Sequence, residues 1–230
     1  MSKYKEQAQN LRQTLGLECS PIAINYSDDP DSRGSMDKYP SVCKALEKVL
    51  QEKTIVNLSK DNCMCPGGKH YLGFETLPPH IIGMVWTKFH KAHESQKVGE
   101  EQLNKYPKPT TGKANFIVIS PLEKVTSNPD VVIVFCKPEQ ADRVTGLIAY
   151  SGYEPMLFYP VSNICFAMTI PVVTEKTNIS FPSRHAREIF HLKIPPSELF
   201  VSAPYKDFEK AVQNIPNSGY GTAKTEVPRI

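Results

Sequence analysis

The chain has 230 residues, 40% of them hydrophobic and 22% charged, the proportions of a folded globular protein large enough to bury a sizeable core. A formal charge of +3 is too small to argue for nucleic acid or an anionic membrane as partner, and no run of eighteen apolar residues offers a membrane span. The polar start Met1–Gln7 lacks the apolar segment of a secretion signal, so a cytoplasmic, reducing setting is expected, with the six cysteines as thiols or metal ligands rather than disulfides.

Tyr4, Ala8, Leu11 and Leu15 recur at helical spacing, and Gly16 supplies a left-handed stop. Pro21–Tyr26 reads as a strand, ended by the Asp28-Asp29-Pro30 turn, and residues 28–40 as an exposed loop. Ser41 caps a second helix in which Val42, Leu46, Val49 and Leu50 face a core. Thr54–Leu58 makes a short strand that feeds into Cys63-Met64-Cys65-Pro66-Gly67-Gly68. A helix is expected over Pro79–Glu94, then strands at Asn115–Ile119 and Val131–Cys136, joined by a turn at Ser127-Asn128-Pro129. Ala141, Val144, Leu147 and Ile148 support a helix over Glu139–Tyr150. A strand at Met156–Tyr159, a helix at Ser162–Thr169 and a final helix at Tyr205–Asn214 complete the pattern, with only short elements between the last two. The twenty prolines punctuate these elements and form no low-complexity run. The alternation predicts an α/β (α+β) fold: one domain over residues 1–219, a mixed β-sheet flanked by helices, then a C-terminal tail over 220–230.

The Cys63–Gly68 stretch carries the strongest chemical signal. Proline removes a backbone donor and the glycines open φ > 0, so an irregular loop is expected there, offering Cys63 and Cys65 for chemistry rather than packing. Cys43 falls in the first turn of its helix, where free N–H groups and the positive dipole end favour a thiolate; packing beside Val42 competes on even terms. Cys165 stands on the apolar stretch Asn163–Met168, where core packing is the plain alternative. Cys19 and Cys136 lie beside or within strand runs and read as packing residues.

Taken together, Cys43, Cys63, Cys65 and Cys165 would close a site for an iron–sulfur cluster, a 4Fe-4S centre, with zinc as the alternative. The Cys-x-x-Cys spacing that zinc and ferredoxin clusters favour is absent. A cluster is wider than one ion and accepts ligands from distant elements more readily, which favours it here. A metal-free reactive or redox-switching thiol loop is the third possibility.

A different class of function is also open, a binding module for a small anionic ligand. Lys69 in the Gly-Gly-Lys turn and the cationic group Arg184, His185 and Arg187 would hold it by charge-assisted hydrogen bonds, with the thiols incidental. His90 and His93 share a helix face at i, i+3 but are flanked by Lys88, Lys91 and Glu94, which reads as a solvated helix end. His70 follows the Pro-Gly-Gly-Lys turn within reach of the cysteine loop. No G-x-S-x-G elbow, phosphate loop, H-E-x-x-H or dinucleotide fingerprint is present, so no reaction can be named. The expected partner is a redox protein or a small anionic molecule, and a homo-oligomer is left open.

Leu15-Gly16-Leu17 with Pro21–Ile24, Cys43, the Cys63–Gly68 stretch with Leu72-Gly73, and Cys165 with Pro171 resemble domain-of-unknown-function family 169, an archaeal and bacterial group. The resemblance covers nearly the full length and implies no established activity. It does imply that the middle and late cysteines recur in such proteins. Members often carry a late Gly-Cys-x-Gly-x-Arg segment. The nearest stretch here is Pro182-Ser183-Arg184-His185-Ala186-Arg187, which keeps the arginine but has serine where cysteine would stand. If that cysteine is a ligand in relatives, this chain has lost or replaced it, and Ser183 and His70 would border an open position.

Overall fold

A computed structural model describes residues 2–89, 91–152, 155–159, 164–188 and 192–221. Ser2 opens α1 (Lys3–Leu15) and Gly16, at φ 66°, closes it. Ser41 opens α2 (Val42–Glu52), its Oγ accepting from the Lys44 N–H at 3.1 Å. Both helices bury the faces expected from their apolar spacing.

Seven strands form one sheet among the described residues: β1 (Ile22–Ser27), β2 (Val56–Ser59), β3 (Phe116–Pro121), β4 (Val131–Cys136), β5 (Leu157–Phe158), β6 (Asn178–Ser180) and β7 (Leu199–Pro204). Their order is β2-β3-β1-β4-β7-β6-β5. Every neighbouring pair is antiparallel except β5–β6, so the sheet is mixed and the fold is α/β, with helices on both faces.

The period-two alternation of strands divides the core in two. Ile22, Ile24, Val131, Ile133, Phe135 and Phe200 point to one face, where α2 and α7 (Ile164–Thr174) cover them. Ala23, Val132, Val134, Leu199, Val201 and Ala203 point to the other. There α6 (Pro138–Ala149), α9 (Tyr205–Asn214) and α1 pack. No helix among the described residues is long and apolar enough to cross a membrane.

Several elements differ from the sequence expectation. The helix expected over Pro79–Glu94 is α4 (Pro79–Met84) continued by one π-helical turn, Val85–Phe89; a separate helix, α5 (Gln96–Lys105), then packs back on α4. Gly83 and Gly99 allow that approach, since a Cβ on Gly83 would lie 2.9 Å from the Gln96 carbonyl oxygen. The helix expected to end at Thr169 runs on to Thr174 with Pro171 inside it. Its residues from Ile164 to Pro171 are all buried, so no polar stripe marks its limits. Of the tail, only Tyr220 and Gly221 are among the described residues.

Candidate thiol-lined site

Past β2 the chain is tied down by its own side chains. Asn62 accepts the Ser59 N–H at 2.7 Å and donates to the Asn57 carbonyl at 2.8 Å. Tyr39 brackets the turn: its N–H bonds the Asn62 carbonyl at 2.8 Å and its carbonyl takes the Met64 N–H at 2.9 Å. The loop expected at Cys63–Gly68 is only partly irregular. Pro66-Gly67-Gly68 forms the first turn of a short helix, α3 (Pro66–Tyr71), with Cys65 as its cap. A proline costs nothing at the first helical position, where its N–H would be unpaired in any case. The Cys65 Sγ accepts from the Gly68 N–H at 3.3 Å. Gly68 is required for a second reason, because a Cβ there would sit 2.5 Å from the Val42 methyl and 3.4 Å from the Cys63 Sγ.

These constraints bring Cys65 against the first turn of α2, which carries Cys43, and against the start of α7, which carries Cys165. The three thiols line one cavity of about 210 Å³. Gly67 and Gly68 line it on one side, and Leu77, Ile81, Ile82, Val85 and Trp86 form an apolar wall. Cys63 lies behind the others, fully buried, its S–H directed weakly to the Cys65 carbonyl at 3.9 Å. The four are close enough to act on one another electrostatically: the Cys165 thiol is pushed far up by burial, then by Cys65, Cys43 and Cys63 in that order.

Burial raises the other three as well. Cys43 goes up through burial and then Cys65, and Cys63 is pushed up to about 11 by burial. The helix-end stabilisation expected for a Cys43 thiolate is outweighed by desolvation. Cys65 is also raised by burial, against the opposing pull of the Gly68, Gly67 and Val42 backbone N–H groups. Its sulfur thus faces the amino ends of both α2 and α3. A bound cation would reverse this balance and draw the protons off.

One further polar group borders the thiols. The Tyr71 hydroxyl is buried without a hydrogen-bond partner among the described residues. Burial and then Cys165 raise its pKa, so it lies within electrostatic reach of that thiol. Its ring packs on Phe166 at 4.2 Å, and Thr169 donates to the Tyr71 carbonyl at 2.9 Å.

Other predicted residues fall elsewhere. Cys136 is buried on the opposite face of the sheet, pushed up to about 12, and fits its packing role. Cys19 is only half-buried, in a small hollow that mixes Arg12, Glu18 and Lys53 with Ile22, Val49 and Leu50. Lys69 stands on α3 and its charge reaches Cys63, but among the described residues neither it nor Arg184 or Arg187 lines the cavity. Arg184 is exposed and paired with Glu188 at 2.5 Å. Arg187 is half-buried on α8 (Arg184–Glu188). His185 belongs to that helix, and its side chain is outside the described residues. Ser183 caps α8, accepting the Ala186 N–H at 3.1 Å, and His70 is engaged with Leu77 and Lys108, so neither borders the cavity as expected. His90 is outside the described residues, and the His93 ring lies 6.0 Å from that of Trp86. Among the described residues no three His, Cys, Asp or Glu side chains are grouped closely enough to hold a single metal ion. Sequence reasoning missed the apolar wall, whose only conspicuous mark is the one tryptophan of the chain, and it missed Tyr71.

The sequence profile of the family described as DUF169, uncharacterised ArCR, matches residues 10–214. No curated protein and no solved structure matches the chain.

Proposed function

This chain belongs to the DUF169 family, and we propose from its geometry that it carries an iron–sulfur cluster on Cys43, Cys63, Cys65 and Cys165 and serves in redox chemistry. The observation that carries this reading is the position of Cys165, which stands far along the chain yet meets the field of the other three thiols beside one cavity. Packing alone does not require thiols from α2, α3 and α7 to converge.

The size and shape of the hollow favour a cluster over zinc. A tetrahedral zinc ion needs four sulfurs about 2.3 Å from one point. In a cluster each thiolate binds a different iron, so the sulfurs stand apart around a space. The cavity of about 210 Å³ holds the volume of roughly seven waters, room for a group of several atoms. Such a cluster supplies one-electron transfer at a potential tuned by hydrogen bonds to its sulfurs and by solvent exposure. In this chain the backbone N–H groups at Cys65 would hold charge on that sulfur, and the wall from Leu77 to Trp86 would exclude water. The unpartnered Tyr71 hydroxyl would gain a charged acceptor. A cytoplasmic, reducing setting would keep the thiols available.

Purification without oxygen, followed by counting of iron, zinc and acid-labile sulfide, tests the reading. Iron and sulfide in similar amounts, with broad visible absorbance, are expected. Protein that holds neither as isolated nor after anaerobic supply of iron and sulfide would leave a metal-free module for a small anion at Lys69, Arg184 and Arg187.

A further inference from the structure

His70 and Lys108 form a pair whose protons can be assigned from geometry, and it stands whether or not the thiols hold a cluster. His70 is buried. Its Nδ1 accepts the Leu77 N–H at 3.1 Å, and its Nε2 meets the Lys108 Nζ at 3.1 Å. A neutral imidazole carries one proton, and a nitrogen accepting an amide N–H cannot be the one that carries it. The ring proton is therefore on Nε2. Turning the ring over would place carbon at both positions and forfeit both contacts.

An ammonium at Lys108 would then face an N–H, donor against donor. A neutral amine accepts that N–H through its lone pair. A doubly protonated ring is excluded twice, by the Leu77 N–H at Nδ1 and by its burial. Other charges around the pair do not favour an ammonium. Among the described residues no ion pair includes Lys108, and among them His70 is the one titratable group in hydrogen-bonding contact with its amine. Burial is the main cause that lowers His70 to about 4, which keeps the ring neutral, and burial also lowers Lys108.

We propose that Lys108 is a nucleophilic amine, held ready by His70, at which the protein takes up a small aldehyde as a Schiff base. A lysine so poised attacks carbonyl carbon, as desolvated lysines do in covalent catalysis. Lys108 also remains exposed enough to be reached from solvent. In the step itself the amine lone pair forms the C–N bond and the carbonyl pair moves to oxygen. His70 loses its acceptor at that moment, and its Nε2–H becomes free to donate to the forming alkoxide. The two amine protons pass to that oxygen, which leaves as water as the nitrogen lone pair closes the C=N bond, and the imine forms without any oxidant or reductant. The Leu77 N–H orients the ring.

The test uses the full chain with limiting ¹³C-formaldehyde and cyanoborohydride at pH 7, and peptide mass mapping of the methylated lysines. Lys108 is expected to be labelled about tenfold or more above the average of the other lysines, the excess that a larger fraction of free amine brings. In His70→Asn the amide oxygen takes the place of Nδ1 and still accepts the Leu77 N–H, but the Nε2–H is gone. Labelling of Lys108 should fall to the common rate in that variant. Labelling at the common rate in the wild-type protein, or preference that survives in His70→Asn, overturns the proposal. If His70→Asn does not fold, the ¹³C titration of dimethylated Lys108 in the wild-type protein decides: a midpoint below the other lysines supports it, and one among them refutes it.

Discussion

The two faces of the sheet are built by different means. On one, α1, α6 and α9 are long amphipathic helices, and their apolar stripes interlock with Ala23, Val132, Val134 and Val201. Helices of that kind do little besides bury area, and single side chains carry the stability. The other face is covered by α2 and by α7, buried from Ile164 to Pro171, and beyond them by α3, α4 and a π-helical turn, short pieces broken by proline and glycine. These pieces bury less regular area, yet they hold the converging thiols, the one tryptophan and an unpartnered phenol. π-Helical turns and buried unpaired polar groups are features that tend to gather at functional sites. The regular face supplies stability, and the irregular one spends some of it on a site.

The contrast is tested hardest by truncation of the regular face. Phe208→Ala removes a fully buried ring and should cost about 3–5 kcal/mol in denaturant unfolding, leaving iron uptake by the folded fraction unchanged. Lost uptake in protein still folded would show that the faces are not separable.

Glycine substitutions give the next largest difference. Gly68→Ala drives a methyl to 2.5 Å from Val42 and should cost about 1–3 kcal/mol while also lowering metal content, with Val42→Ala restoring part of both. Gly146→Ala brings a methyl to 2.6 Å from the Tyr220 ring, which is exposed but must turn as a whole to make room. It should cost less than Gly68→Ala, under about 1 kcal/mol, and leave metal content unchanged. Equal losses at the two glycines would erase the distinction.

Acid titration separates the faces by sign. His70, lowered to about 4 by burial and Lys108, binds its proton more readily unfolded. Its contribution to stability is thus present above about 6.5, falls as the pH drops towards about 4, and is constant below that. Glu198, just before β7, is raised above its ordinary value by burial and by Glu18, and its Oε2 lacks a partner among the described residues. Its contribution is present below the usual glutamate range and is lost as the pH rises through its folded pKa. Wild-type against His70→Asn and Glu198→Gln unfolding at pH 4, 5 and 7 should show the two dependences running in opposite directions.

The smallest effect expected is at Tyr71. Removing its hydroxyl with Tyr71→Phe should stabilise the metal-free protein by up to about 1 kcal/mol, since the group is desolvated without a bond. A loss of similar size in the metal-free protein would mean that the hydroxyl already has a partner.

The sequence made the regular face readable because its helices are amphipathic. Leu11 and Leu15 of α1 and Val144, Leu147 and Ile148 of α6 recur with the helical period, and α9 and β4 agree with the expected bounds residue for residue. The irregular face resisted for physical reasons. α7 is apolar nearly all round and has no period to detect, while the α5 sequence holds too few apolar residues to set a helical period. β7, a strand buried on both faces, lies directly before α9 and was absorbed into the short elements. Of the site, the cysteine types and the Pro-Gly-Gly turn pointed to the chemistry. The wall from Leu77 to Trp86 depends on tertiary approach, and nothing in its spacing announces it. Cys19 stands at an edge where Ile22, Val49 and Leu50 meet Arg12, Glu18 and Lys53, a mixture that a position beside a strand does not reveal.

The central claim is that Cys43, Cys63, Cys65 and Cys165 act as one centre while Cys136 only packs. It is tested most directly by iron content and visible absorbance of single Cys→Ser variants purified without oxygen. The account predicts that Cys65→Ser and Cys165→Ser each lose most of the iron and the colour, whereas Cys136→Ser keeps both. Iron and absorbance unchanged in Cys65→Ser and Cys165→Ser would contradict it.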